Sequence, residues 1–280
     1  MSASLDNILD EIFSEKEIKA DDVVLRWFPD NALTQAKVAA DFTLAKVGEK
    51  HPDYAVQLTK LARVFEAQRQ YEEAERLYRQ ALEIVTKASG TSLHNQANYL
   101  NQLAGVIRAQ GRNLEAEHLY RRALEVDVTT IGTVHPTYAI HLNNLALVLK
   151  DQGQYMEAER LYRQALEIDT KTIGTDHSTY ITHLNNLALV LGVQGRYEEA
   201  ESLCRQALES DAEALGVKHP VYATRLNNLA GMLMEQGKNA EAKTHFRHAI
   251  DIFEAALGAE HPNTLQSRKN LDTLLANSKP

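Results

Sequence analysis

In the stretch HLNNLALVL, from His141 to Leu149, apolar residues fall at Leu142, Leu145, Ala146 and Leu149, the alternating three- and four-residue steps of one helix face. The same nine letters return from His183 to Leu191, and a variant, RLNNLAGML, runs from Arg225 to Leu233. A second helical pattern follows after a short turn, with Ala158, Leu161, Tyr162, Ala165, Leu166 and Ile168 in step. The turns have the form QGxY or QGxN around Gly111, Gly153, Gly195 and Gly237, and Arg69 holds that slot in the first unit. The chain therefore reads as pairs of amphipathic helices.

The pairs recur at one period. His-Pro occurs at His51, His135, His219 and His261, with His177 in frame before Ser178, so every spacing is 42 or a multiple of it. The missing phase falls at Leu93-His94, where the motif has drifted. EAERLYRQALEI, Glu73 to Ile84, returns unchanged from Glu157 to Ile168. Gly48, Gly90, Gly132, Gly174, Gly216 and Gly258 form a third series. Proline after the histidine suits a first helical turn, where no hydrogen bond is lost. The series glycines suit left-handed caps at the end of each second helix. Alanines at Ala74, Ala116, Ala158, Ala200 and Ala242, and again at Ala81, Ala123, Ala165, Ala207 and Ala249, let the paired helices approach closely.

The pattern L-x-x-L-A, G-x-Y-x-x-A, L-Y, A-L resembles the tetratricopeptide repeat, whose usual unit has about 34 residues. The 42-residue unit with an HP start, an N-N-L-A core and an L-G end is similar to the kinesin light chain variant, found also in many bacterial repeat proteins. The resemblance covers His51 to about Leu275 and implies an all-α, right-handed α-solenoid of helix-turn-helix repeats. Kinesin light chains carry a heptad coiled coil before their repeats; the 50 residues here show no sustained heptads, so a motor subunit is not expected.

The expected organisation is an N-terminal cap or docking segment over residues 1–28, with apolar clusters at Ile8-Leu9-Ile12-Phe13 and Val23-Val24-Leu25-Trp27-Phe28. A half repeat, one second helix, follows over 29–50, then five full repeats over 51–260 and a capping helix with tail over 261–280. In that last helix Arg268 and Asp272 replace a leucine and an alanine, the polar outer face a solenoid end needs.

On a helical wheel Asn143 lies about 100° from the face of Leu142, Leu145, Ala146 and Leu149, and Asn144 points the other way. In tetratricopeptide arrays the first helices line the concave surface, and kinesin light chains bind peptide with asparagines at the matching position. The resemblance thus implies groove-facing roles for Asn101, Asn143, Asn185 and Asn227, with Thr59 and Lys269 at the ends. An amide ladder can hydrogen-bond an extended backbone with little regard for its side chains. Bridging between repeats is the alternative for this series, and the preferred reading for Gln102, Asn144, Asn186, Asn228 and Asn270. Arg63, Arg108, Lys150, Leu147, Leu189, Val193 and Met234 complete the expected groove. The mid-helix glycines Gly105 and Gly231 make room there for a ligand backbone or for a neighbouring helix. Such a set suits a peptide with an apolar anchor and acidic flanks, as in kinesin light chain ligands, although Glu66, Asp151 and Glu235 oppose the acidic flanks.

The remaining chemistry is sparse. The repeating histidines are read as caps, since His135 and His141 are six apart and share no helix face. Arg79, Arg121, Arg163, Arg205 and Arg247 read as a solvated face, and Cys204 as core. One cysteine excludes an internal disulfide framework and a multi-cysteine zinc site. A net charge of −8 argues against nucleic acid, and the N-terminus reads as lacking a signal peptide. No uncharged apolar run reaches the 18 residues of a membrane span. The expectation is a cytoplasmic, non-enzymatic adaptor with no cofactor or metal, holding a peptide or protein in its groove, its oligomeric state open. The alternative is a structural module that self-associates through the N-terminal segment or the convex faces.

Overall fold

The computed structural model describes residues 31–88 and 93–277. The cap or docking segment expected over 1–28 and the series glycine Gly90 lie outside the described residues. Among those described there are twelve helices and no strand, and they fall into two compact units. The first, ending at Gly132, contains α1 (Ala32–Val47), α2 (Pro52–Ala67), α3 (Tyr71–Lys87), α4 (Leu93–Ala109) and α5 (Asn113–Thr130). The second, starting at Thr133, contains α6 (Pro136–Asp151), α7 (Tyr155–Thr172), α8 (Ser178–Val193) and α9 (Tyr197–Ala214). It continues with α10 (Pro220–Glu235), α11 (Asn239–Leu257) and α12 (Pro262–Asn277). Within each unit every helix packs on its sequence neighbours, the pattern of a repeat solenoid.

The starts of α2, α6, α8, α10 and α12 are each fixed by a histidine. Nδ1 of His51 accepts the backbone N–H of Asp53 at 3.2 Å, and Nδ1 of His135 that of Thr137 at 3.1 Å. His177, His219 and His261 do the same for Thr179, Val221 and Asn263, each at 3.2 Å. Each bond occupies one donor that a helix N-terminus otherwise leaves open.

The turn between paired helices is a Schellman cap. After α6, Gly153 N–H donates to Lys150 O at 3.0 Å and Gln154 N–H to Leu149 O at 2.8 Å. After α2 the same two bonds form from Arg69 and Gln70 to Glu66 and Phe65, each 2.9 Å. Arg69 therefore adopts φ of +59°, where its Cβ crowds the backbone.

The alanines of both series are fully buried in both units, which lets helices meet backbone to backbone. Around them lie Tyr78 and Leu103 in the first unit, and Tyr162, Leu142, Leu187 and Phe246 in the second.

On the second-helix side three of the arginines, exposed as a solvated face requires, also tie repeats together through ion pairs. Arg79 Nη2 donates to Glu115 Oε1 at 2.7 Å, Arg163 Nη2 to Glu199 Oε1 at 2.6 Å, and Arg205 Nη2 to Glu241 Oε1 at 2.5 Å. Each link runs from one second helix to the next. Half-buried glutamates share these arginines: Glu201 accepts from Arg205 Nε at 2.9 Å, Gln236 Nε2 at 2.8 Å and Lys238 Nζ at 2.7 Å. Burial pushes the Glu201 carboxyl up, but the bonds from Lys238, Gln236 and Arg205 outweigh it and hold the group at about 2. Glu75 and Glu159, at the same repeat position, are lowered against burial by their own arginine and glutamine donors.

Two outcomes follow from these contacts. Arg69→Gly is expected to stabilise the first unit by about 0.5–1 kcal/mol, the relief of a left-handed residue less the entropy of a glycine, read as a higher urea midpoint. Glu201, whose folded pKa lies below its ordinary value, contributes stability that is present above about pH 4.5 and lost as pH falls toward about 2. Glu201→Gln should lower the urea midpoint of the second unit at pH 7 and flatten its acid dependence; parallel pH profiles would show the carboxylate carries no such role.

Candidate functional site

The first helices α6, α8, α10 and α12 of the second unit lie side by side, each touching the next. Asparagines bond them at equivalent positions. Asn186 Nδ2 donates to Asn143 Oδ1 at 2.9 Å, Asn228 Nδ2 to Asn185 Oδ1 at 3.0 Å, and Asn270 Nδ2 to Asn227 Oδ1 at 3.2 Å. Asn186, Asn228 and Asn270 of the second series thus bridge repeats, as expected, but through the side chains of the first series instead of a backbone carbonyl. Asn143 and Asn185 are only 5% and 4% exposed, which corrects their placement on an open groove face. A first helix also packs beside the next first helix, so its buried arc is wider than the face that meets its own partner. Asn143 Nδ2 also donates to Asn144 Oδ1 at 3.2 Å, so the two neighbours curl together despite the rotation between them.

A cavity of about 610 Å³ opens along the C-terminal ends of these helices. Its apolar wall is built by Leu189 and Val193 from α8 and by Met232 and Met234 from α10, over the fully buried Phe246 of α11. Tyr155 and Tyr197, the first residues of α7 and α9, stand beside it, and Lys150, Glu235 and Asn270 supply its polar groups. Of the expected groove residues the cavity gathers Lys150, Leu189, Val193 and Met234. It leaves out Asn143, Asn185, Asn227 and Leu147. Arg63, exposed on α2, and Asn101 and Arg108, half-buried on α4, belong to the first unit.

Two glycines border the cavity, and their surroundings differ. A Cβ added at Gly192 would lie 2.5 Å from Met232 Sδ, so this glycine admits the methionine. At Gly231, inside α10, an added Cβ meets nothing within 4 Å. Gly105, its counterpart in α4, has the Tyr120 hydroxyl at 3.5 Å.

The second unit also contains two buried polar pairs. His183 Nδ1–H donates to Asp169 Oδ2 at 2.6 Å, and Arg225 Nε to Asp211 Oδ2 at 2.9 Å, joining each second helix to the next first helix. These pairs escape a search for shared helix faces. Their signal is an aspartate that recurs at the 42-residue period, at Asp127, Asp169 and Asp211, with a base fourteen residues later in each of these pairs. Cys204 is buried, and burial pushes its thiol up to about 12, which suits a core residue and not a nucleophile. Among the described residues no group of three or more His, Cys, Asp or Glu side chains is placed to hold a metal ion. None of their helices is long and apolar enough to cross a membrane.

Tetratricopeptide repeat models match residues 30–87, 95–171, 138–213, 179–232 and 223–263. The chain belongs to the tetratricopeptide repeat family. Solved structures of similar fold include BtubC (BKLC) from P. vanneervenii, at 20% identity and TM-score 0.66, with 93% of this chain and 95% of that one covered. A Podosopora anserina chain, described as a kinesin light chain with nearly identical repeats, is 25% identical with TM-score 0.63, covering 73% of this chain and 97% of its own. The apo form of RapI is 16% identical with TM-score 0.63 over 92% and 95% of the two chains. Comparison with curated proteins gives no match.

For this tetratricopeptide repeat chain the amide bonds are structural, so substituting them alters stability first. Asn143→Ala with Asn185→Ala removes two inter-repeat bonds and is expected to cost the second unit about 1 kcal/mol for each. A urea midpoint unchanged in the double variant would show the amides hold nothing.

Proposed function

We propose that the second unit captures an extended peptide segment of a partner protein in the cavity along α6, α8 and α10, as a non-catalytic adaptor. The observation that carries this reading is Gly231. A glycine inside a helix costs about 1 kcal/mol against alanine. At this position neither a turn nor a close neighbour asks for one, and the open side is the cavity. A ligand backbone passing close to α10 gives the glycine a purpose.

The walls suit an apolar anchor. Met232 and Met234 are unbranched and polarisable and fit side chains of varied shape, while Leu189 and Val193 give a fixed surface. Lys150 offers a cation to an acidic flank. Stacked repeats hold the groove in advance, so the ordering cost falls mainly on the ligand. In this reading the asparagines set the spacing of the first helices, and the cavity residues grip. Membership of the tetratricopeptide repeat family supports protein or peptide binding as the broad class.

The test is selection from a displayed library of random peptides. The wild type is expected to enrich binders, and Gly231→Phe, which fills the groove from its open side, to lose them. Gly231→Ala should raise thermal stability by about 1 kcal/mol while weakening the selected peptides in calorimetry. Raised stability with unchanged affinity would sink the groove reading.

A further inference from the structure

Lys150 and Glu235 line the same cavity from first helices two repeats apart, α6 and α10. Between them α8 presents only Leu189, Gly192 and Val193. The register makes the contrast plain: one repeat position reads Lys150, Gly192, Met234, and the next reads Asp151, Val193, Glu235. One end of the cavity is thus cationic, its middle uncharged and its far end anionic.

Neither charge is well satisfied within the protein. Lys150 Nζ has Asp151 Oδ1 at 4.0 Å, the outer limit of an ion pair. Glu235 has no hydrogen-bond or ion-pair partner among the described residues. A ligand that covers the cavity strips water from both, and a desolvated charge needs an opposite charge beside it.

We propose that the ligand is charge-ordered: an acidic side chain beside Lys150, an apolar anchor over α8, and a basic side chain beside Glu235. This rests on the groove reading and departs from a peptide acidic on both flanks. Adjacent packed helices lie about 8–10 Å apart, so the two charges stand roughly 16–20 Å from each other. An extended chain advances about 3.3 Å per residue, which separates its acid and base by roughly five or six residues. The occupant is therefore a short extended segment, dipolar along its length, with its apolar residue between the charges.

The experiment runs the displayed random library against four proteins: wild type, Lys150→Glu, Glu235→Lys, and the double charge swap, with thermal melts confirming each fold. Wild type is expected to enrich peptides carrying an acid and a base about five or six residues apart around an apolar residue. Each single swap should lose the preference at its own end, weakening wild-type binders about tenfold. The double swap should reverse the order of charges. Enriched peptides without that order, or an order the swaps leave unchanged, would overturn the charge assignment while leaving groove binding intact. Enrichment that persists in Gly231→Phe, or none at all in wild type, would overturn the groove reading and this inference with it.

Discussion

The rest of either unit depends on the close approach of helices at the alanines. Ala158 and Ala165, Ala200 and Ala207, and Ala242 and Ala249 are all fully buried, and with no bulk at those points the second helices seat against their partners. A helix pair joined this way still has an apolar flank it cannot cover. It must stack on another pair, and the stacking surfaces then recur at the same period as the alanines. The amide bonds from Asn186 to Asn143 and from Asn228 to Asn185, and the arginine links from Arg163 to Glu199 and from Arg205 to Glu241, are consequences of that repetition. Once a polar pair is placed well in one interface, the period places it in the next.

Whatever follows from one helix, or from the period, was legible in the sequence. The histidine caps needed only the His-Pro phase and the rule that a helix start leaves donors open. Arg69 could be placed in a glycine slot by alignment alone, and its positive φ follows from the slot. What escaped was everything set by three helices at once. A wheel drawn for α6 describes its contact with α7, yet Asn143 is buried by α8 on its flank. The second role of Arg79, Arg163 and Arg205 escaped for the same reason: each is exposed on its own helix and also bonded to the next second helix. Gly192 and Gly231 are indistinguishable as letters, and only the position of Met232 tells them apart.

This division bears on how function is read in a repeat chain. A polar residue that recurs in every unit is explained first by the contact every unit shares, and the asparagines are such residues. A ligand site requires a break in the repetition. The cavity sits where the pattern changes, with lysine giving way to glycine and then methionine along one row. The expected groove residues that line it, Lys150, Leu189, Val193 and Met234, are among those that vary between repeats.

The break has a structural origin in two facing positions. In α3 the hydroxyl of Tyr78 donates to Glu66 Oε2 of α2 at 3.0 Å, so a large ring and a long side chain close the gap between paired helices. In the fourth repeat the equivalent positions are Cys204 and Gly192. Neither can make that bond, and both are far smaller. Met232 of the next repeat takes the space beside Gly192, its sulfur lying where a Gly192 side chain would begin. A thioether is flexible and holds such a place without locking it. The glycine at position 192 thereby admits a methionine as an adaptable wall of the cavity, set in a row of helices that the asparagine bonds join.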